Sequence, residues 1–452
     1  MLYFGTFCAC ILLEEINMNI KIKKILTIAG IIGLFGILPE NLYAADAELS
    51  GANTAWILTS TALVLFMTIP GLAFFYGGLV RSKNVLSVLM QCFALTCMVS
   101  ILWVIALYSL VFGDGGSMNS IIGGFDKLFM SGVTNQSLSG DIPETVFSMF
   151  QLTFAIITPA LIVGGFAERM KFSSMLLFSA LWMIFVYAPI AHMVWGGGWL
   201  GSIGFMDFAG GAVVHINAGV AALVAAIMLR ERKGFPSTPM PPHNLAMTVA
   251  GASMLWVGWF GFNAGSALAA DQSAGMAMLV THIGAAAGSL AWMAREWYKQ
   301  GKASVLGIVT GMVAGLGTIT PASGFVGPMG ALVIGILAGL ICYEGTHYVK
   351  KVLKIDDSLD VFPVHGIGGI LGILLTGVFA SASLGGMGMD NSISTQVGIQ
   401  ITGILFTIVW CGFFTFIILR FVDNILGLRI SEDEEEVGLD LSEHGESSYN
   451  NS

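Results

Sequence analysis

Residues 303–343, ASVLGIVTGMVAGLGTITPASGFVGPMGALVIGILAGLICY, contain no Asp, Glu, Lys or Arg. As one helix such a run would be roughly 60 Å long at 1.5 Å per residue, about twice the hydrocarbon core of a bilayer. Pro321, Gly324, Gly327 and Pro328 interrupt it near the middle. Residues 234–270 form a second uncharged run that is also broken by Pro and Gly. Taken alone, each is too long for a single apolar helix and reads as a pair of spans. The whole chain of 452 residues agrees, with 56% hydrophobic and 10% charged residues, where a soluble chain has about a quarter charged. The class is an all-α polytopic membrane protein.

Following this pattern outward, the apolar segments after residue 50 number eleven: about 54–80, 84–112, 145–167, 173–194, 208–230, 244–268, 273–296, 303–320, 325–348, 361–380 and 394–420. They are too long and too uniformly apolar for barrel strands, which alternate over about ten residues. Positive charge sets the orientation. Arg81, Lys83, Arg169, Lys171, Arg230, Arg232, Lys233, Arg295, Lys299, Lys302, Lys350, Lys351, Lys354, Arg420 and Arg429 all fall in or beside alternate connections, and the opposite side keeps only Lys127. The basic side is the expected cytoplasmic one, which puts the mature N-terminus outside and the tail inside.

The start of the chain reads as a processing segment. Lys21, Lys23 and Lys24 precede an apolar run at 25–38, and Leu42-Tyr43-Ala44 offers a small-residue cleavage site. The apolar run is shorter than the roughly 20 residues a spanning helix needs. The expectation is a signal peptide over 1–44, with translation starting at Met18. An eleven-helix domain then covers 45–425, and an acidic cytoplasmic tail 426–452.

The formal net charge of −9 is concentrated in that tail. Glu432, Asp433, Glu434, Glu435, Glu436, Asp440, Glu443 and Glu446 lie in 430–452 without a Lys or Arg, and the rest of the chain sums to −1. No basic patch supports nucleic-acid binding. Cys92, Cys97, Cys342 and Cys411 fall inside apolar spans, which argues against disulfides and metal clusters. No cofactor is expected, and no H-E-x-x-H or G-x-S-x-G motif suggests an enzyme.

Three short echoes recur five spans apart: Ile157-Thr158-Pro159-Ala160 with Ile319-Thr320-Pro321-Ala322, Val214-His215 with Val364-His365, and Phe75-Tyr76-Gly77-Gly78 with Phe262-Asn263-Ala264-Gly265. An odd offset means that the halves cross the membrane in opposite directions. The plan is a 5+5 inverted repeat with one added helix, and its functional site lies between the halves near the midplane. The 58 glycines suit close helix approach.

Polar groups at membrane depth are candidate functional residues. His215 and His365 occupy matching positions and would face each other across the pseudo-two-fold axis. Their imidazoles would form a polar strip in an apolar tube, suited to a small neutral hydrogen-bonding molecule. The alternative is a pair of satisfied core histidines. His282 lacks a counterpart and reads as structural, and His192 reads as facing water beside an exterior loop. Asp207, just ahead of Gly210 and Gly211, fits a helix N-cap first and attraction of a cation second. Trp195 precedes Gly196-Gly197-Gly198, so it is either an interfacial belt residue or an indole presented to a cation. Phe150 and Phe154 lie one turn apart, and Phe262 sits among glycines where it could act as a plug.

Longer motifs surround these residues: Ala73-Phe74-Phe75-Tyr76-Gly77-Gly78-Leu79-Val80-Arg81, Ala191-His192-Met193-Val194-Trp195-Gly196-Gly197-Gly198, Asp207-Phe208-Ala209-Gly210-Gly211-Ala212-Val213-Val214-His215-Ile216-Asn217-Ala218-Gly219, Gly258-Trp259-Phe260-Gly261-Phe262-Asn263-Ala264-Gly265-Ser266, and Asp360-Val361-Phe362-Pro363-Val364-His365-Gly366. Over about residues 50 to 450 the chain resembles the ammonium transporter (Amt/Mep/Rh) family, and a bacterial Amt protein in particular. One local peculiarity is Pro363, which adjusts the start of its helix and leaves His365 in place.

The resemblance implies roles. Trp195, Phe154 and Ser266 would form an outer ammonium recruitment site through cation–π and hydroxyl contacts, supported by the buried carboxylate of Asp207. Phe154 and Phe262 would be a stacked gate, with His215 and His365 as twin lumen histidines. Trp259 and Phe150 would line the pore. The resemblance further implies a plasma (inner) membrane homotrimer with one pore per subunit, taking ammonium or methylammonium. Gly427-Leu428-Arg429, Gly438-Leu439-Asp440, His444-Gly445-Glu446 and Tyr449 resemble the family's tail, which implies docking of a PII-type signalling protein. A sensor that binds ammonium and signals through such a protein is the alternative function. For Glu432 to Glu436 alone, a solvated charge run is the plainer reading.

Overall fold

The computed structural model describes residues 48–449. The expected signal peptide at 1–44 and the start at Met18 lie outside the described residues. Among those described, eleven helices are long and apolar enough to cross a membrane: α1 (Gly51–Leu79), α2 (Ser82–Phe112), α3 (Glu144–Phe166), α4 (Phe172–Ser202), α5 (Gly211–Leu229), α6 (Leu245–Gly265), α7 (Gln272–Gln300), α8 (Val305–Ala322), α9 (Pro328–Val352), α10 (Phe362–Phe379) and α11 (Ile393–Leu426). The run 303–343 is indeed two spans, α8 and α9, broken over residues 323–327, with Pro328 opening α9. The run 234–270 holds one span, not a pair. Its first part, with Pro236, Pro239, Pro241 and Pro242, is the α5–α6 connection, because proline cannot donate to a helical ladder.

The connections sort into two faces. One face bears Glu48, the long α2–α3 connection with its two-residue strands β1 (Leu138–Ser139) and β2 (Ile142–Pro143), and the α4–α5 connection. The other bears the carboxy-terminal tail; we refer to these as the amino-terminal face and the tail face. Helix α5 starts from the amino-terminal side and α10 from the tail side, so these repeat-related helices run in opposite directions. They cross where a Cβ built on Gly219 would sit 2.3 Å from Gly366 N. Only glycine at 219 allows this approach. The same device joins α7, α8 and α9, where a Cβ on Gly315 or Gly335 would lie 2.3 or 2.5 Å from Gly284 O.

Both candidate histidines lie in π-helical turns, Gly211–Ile216 in α5 and Phe362–Ile367 in α10. Each wide turn shifts the register of the side chains that follow it. It lets one helix present its histidine inward while its apolar residues continue to fill the core.

On the tail face a buried ionic cluster pins four connections. Arg232 grips Asp356 through Nε and Nη2 at 2.8 and 2.7 Å and reaches Glu168 Oε2 at 2.9 Å. Glu168 in turn accepts from the Arg81 backbone N–H at 2.6 Å. The fully buried Arg169 donates to Ser358 Oγ and Asp356 O, both at 2.6 Å. Burial pushes the Asp356 carboxyl up, but the Arg232 bonds and charge outweigh it and hold the group at about 2. Its stabilising contribution is therefore complete above 3.8 and is lost as the pH falls through about 2. Removing one partner strands a buried charge, so Arg232→Ala is expected to lose about 3–5 kcal/mol. Thermal unfolding in detergent would show this as a lower midpoint than wild type, and an unchanged midpoint would refute it.

The acidic tail is not a free charge run. Two short helices follow α11, α12 (Glu432–Val437) and α13 (Leu439–His444), the first opened by a capping box between Ser431 and Glu434. Glu435 is buried; it accepts from the Lys233 backbone N–H at 2.8 Å and from Arg429 at 2.7 Å. Asp440 is also buried and accepts from the Ser87 N–H at 2.8 Å, while Asn84 Oδ1 accepts from the Leu439 N–H at 2.9 Å. Glu432, Asp433 and Glu436 stay exposed, so the plainer reading holds only for that part of the run.

Candidate functional site

Asp207 organises the amino-terminal end of α5. Its Oδ1 accepts from Gly210 and Gly211 N–H at 2.9 and 2.5 Å, and its Oδ2 from Ala212 and Val213 at 2.8 and 3.3 Å. One carboxylate thus satisfies four donors at the start of α5, a capping role exerted from three residues ahead of the N-cap position, which Gly210 holds. The turn needs Gly210 at φ 115°, a conformation other residues rarely adopt. Burial holds the Asp207 carboxyl above its ordinary range, and the four N–H donors offset only part of that rise. Its backbone carbonyl accepts from Trp195 Nε1 at 2.9 Å, so the cap of α5 also orients the indole at the end of α4.

From Trp195 a ladder of rings descends through the bundle. Trp195 meets Phe154 edge-on at 5.9 Å between centroids, and Phe154 lies over Phe262 at 4.2 Å with the ring planes tilted by 31°. Phe262 is 6.2 Å from the His215 ring, and His215 stacks on Trp259 at 5.6 Å and on His365 at 5.2 Å. The Nδ1 atoms of His215 and His365 are 3.1 Å apart, so one is the donor and the other the acceptor. His215 Nε2 is buried and has no partner among the described residues. Trp259 is fixed by Nε1 donating to Thr320 Oγ1 at 2.8 Å.

Three cavities follow the same line. A mouth of about 640 Å³ opens on the amino-terminal face beside Trp195, Phe154 and Ser266. The Phe154–Phe262 stack closes its floor. Beneath lies a slender void of about 10 Å³, just room for one water-sized molecule, lined by Phe262, Trp259, His215 and His365 among apolar neighbours. His365 also lines a third cavity of about 240 Å³ that reaches the tail face. The geometry is a pore with wide ends, an aromatic constriction and a narrow apolar passage carrying one polar strip.

Residues 55–449 match the Ammonium Transporter Family. The chain belongs to that family. It is 47% identical over 424 residues to an ammonium transporter of Aquifex aeolicus, covering 93% of this chain and 99% of that one. Among solved structures it resembles a Sensor Amt Protein, with TM-score 0.81 and 29% identity over 87% of this chain and 98% of the other. It likewise resembles Saccharomyces cerevisiae Mep2, with TM-score 0.78 and 34% identity over 88% and 96%. The protein is thus a multi-pass membrane protein of the ammonium transporter family.

The other expected site residues fall as follows. Ser266 stands on the mouth wall with Oγ donating to Phe262 O at 2.8 Å. Phe150 departs from expectation. It lines none of these cavities; fully buried, it backs Phe154 at 5.1 Å and packs against Gly265. Phe147 and Gln151 take the mouth wall instead, because Phe150 turns to the neighbouring face of α3. His192, expected to face water, is fully buried between Val111 O and Asn119 O, each 2.7 Å away. His282 lies on the bundle surface beside Trp256, away from the passage. The expectations did not include Thr320 as the partner of Trp259. The signal was present in the echo of Thr158 and Thr320, but only packing shows which side chain the hydroxyl meets.

Proposed function

We propose that this protein carries ammonium from outside the plasma membrane to the cytoplasm, recruiting the ion at the mouth, deprotonating it and conducting ammonia through the passage. The observation that carries this reading is the succession of three cavities, with the Phe154–Phe262 contact between the first two and His365 lining the second and third. At the mouth, Trp195 and Phe154 offer ring faces and Ser266 a hydroxyl oxygen to the cation. Beyond the constriction, an ion would lose its hydration with nothing charged to replace it, at a cost of several kcal/mol or more. Shedding a proton from an amine two to three units below its pKa costs about 1.4 kcal/mol per unit. Ammonia then exchanges hydrogen bonds along the histidine strip. Potassium has no proton to lose and is excluded. The basic connections on the tail face orient that face to the cytoplasm, with a signal peptide exporting the amino terminus. The working unit is a homotrimer, and the docked tail is the surface through which a PII-type protein regulates transport.

Current on a solid-supported membrane tests this, with an ammonium pulse set against a potassium pulse. A transient for ammonium alone supports electrogenic transport. No current, with the vesicle interior turning alkaline, supports passive ammonia conduction. Neither signal in reconstituted protein would sink the reading. The likeness to a Sensor Amt Protein favours a second function, ammonium sensing through the tail; ammonium binding without either transport signal would favour it.

A further inference from the structure

The mouth cavity holds a second constellation that neither the ring ladder nor the histidine pair uses. Glu144 opens α3, and its side chain, only 7% exposed, lines the cavity that also reaches Trp195, Phe154 and Ser266. Tyr108 of α2 donates its hydroxyl to Glu144 Oε1 at 2.7 Å. Lys127, from the α2–α3 connection, places its ammonium on the same oxygen and 5.7 Å from the centre of the Tyr108 ring. Glu144 Oε2 accepts no hydrogen bond among the described residues. A carboxylate, a phenol oxygen and a ring face are the acceptors that an N–H cation seeks. Lys127 ends in such a cation, and so acts as a tethered analogue of ammonium in a site built for one.

The lysine side chain is not what holds its loop. That task falls to the Lys127 backbone N–H on Ser109 Oγ at 2.9 Å, Ser109 Oγ on Gly124 O at 2.8 Å and the Gly123 N–H on Leu110 O at 2.8 Å. The side chain is 28% exposed, on a flexible four-carbon stem, and can swing into water without breaking those bonds. Glu144 has no such freedom. A nearly buried carboxylate left without a cation is strongly disfavoured, so the site takes up another when the lysine leaves.

We propose that Glu144 and Tyr108 form a cation subsite in the mouth, and that Lys127 is a tethered competitor which a free ammonium ion displaces to occupy it. This rests on the ammonium reading above. Glu144 and Phe154 are ten residues apart on α3, roughly 15 Å along the axis. Phe147 and Gln151 line the cavity wall between them, so an ion released from the subsite remains in the chamber that leads to Trp195. Lys127 would then set the affinity of the mouth for its substrate.

The test is a calorimetric titration of purified full-length protein with ammonium chloride, for wild type, Lys127→Met, Glu144→Gln and the double variant. Lys127→Met is expected to bind ammonium about tenfold more tightly, the scale of one desolvated cation site, and the double variant to lose that gain. Lys127→Arg, which keeps the charge, should retain the wild-type Kd. An unchanged or weaker Kd in Lys127→Met, or no ammonium binding at all, overturns the proposal. So does a gain that persists in the double variant. If Lys127→Met fails to fold, Lys127→Gln serves in its place. Ammonium current measured on the same wild-type preparation reads the transport function separately, so its absence would sink that reading and leave the binding comparison standing.

Discussion

Protein with alanine at both His215 and His365 is expected to show no ammonium-selective uptake. The passage below Phe262 is apolar apart from these rings, whose Nδ1 atoms bond each other at 3.1 Å and leave His215 Nε2 as a buried, unpartnered polar point. A hydrogen-bonding molecule entering such a tube without a partner meets a cost of roughly 2–7 kcal/mol. At 1.4 kcal/mol per tenfold, even the lower figure slows passage by more than tenfold and the upper by several orders of magnitude. Truncation also widens the void, since two rings stacked at 5.2 Å are lost together. Ion exclusion should weaken as conduction falls. Methylammonium uptake into proteoliposomes, with potassium as the competing ion, measures both effects. Uptake at the wild-type rate with selectivity intact would remove the histidines from the mechanism.

The second large effect is expected at Asp207, through architecture. Alanine there strands the four N–H groups of Gly210, Gly211, Ala212 and Val213 in a buried turn. At about 1–3 kcal/mol each, the loss rivals the whole margin of about 5–15 kcal/mol by which domains stay folded. Asp207→Ala should therefore yield little folded protein, and what folds should transport at least a hundredfold more slowly. Asp207→Asn keeps one oxygen as an acceptor for part of the turn, but its NH₂ meets the remaining donors. That variant should fold with a lowered melting midpoint and transport about tenfold more slowly, as expected for the partial loss of a charge-assisted cap. Two assays separate the steps: size-exclusion profiles report folding, and uptake per folded protein reports function. Wild-type uptake in Asp207→Ala would show that Trp195 and His215 hold their places without the cap.

These two sites also show how far a linear reading reaches. The cap at Asp207 was legible because an acid just before Gly-Gly at the start of an apolar run has one economical use. The histidine pair was legible through the five-span echo of Val214-His215 and Val364-His365. The π-helical turns at Gly211–Ile216 and Phe362–Ile367 were not, because a one-residue widening leaves no mark on hydropathy. Phe150 and Phe154, one turn apart, looked equally suited to line the pore. Which of them does depends on the roll of α3 against its neighbours, and a helix apolar all round carries no moment to reveal that roll. His192 looked water-facing because it adjoins three glycines and a loop. The carbonyls that bury it come from the α2–α3 connection and from the end of α2, far away in the chain.

What the sequence determined by itself is everything that follows from transfer out of water. Apolar runs of hydrocarbon thickness dictate eleven helices, since each backbone N–H must find its partner within its own segment. Tertiary structure alone decided which side chains share the passage, how the acidic tail folds back to bury Glu435 and Asp440, and that Lys127 rests on Glu144. Those outcomes depend on rotations and approaches of a few ångströms between segments separated by up to hundreds of residues. In a uniformly apolar chain hydrophobicity does not distinguish one helix face from another, so only packing and the pairing of the few polar groups select among them.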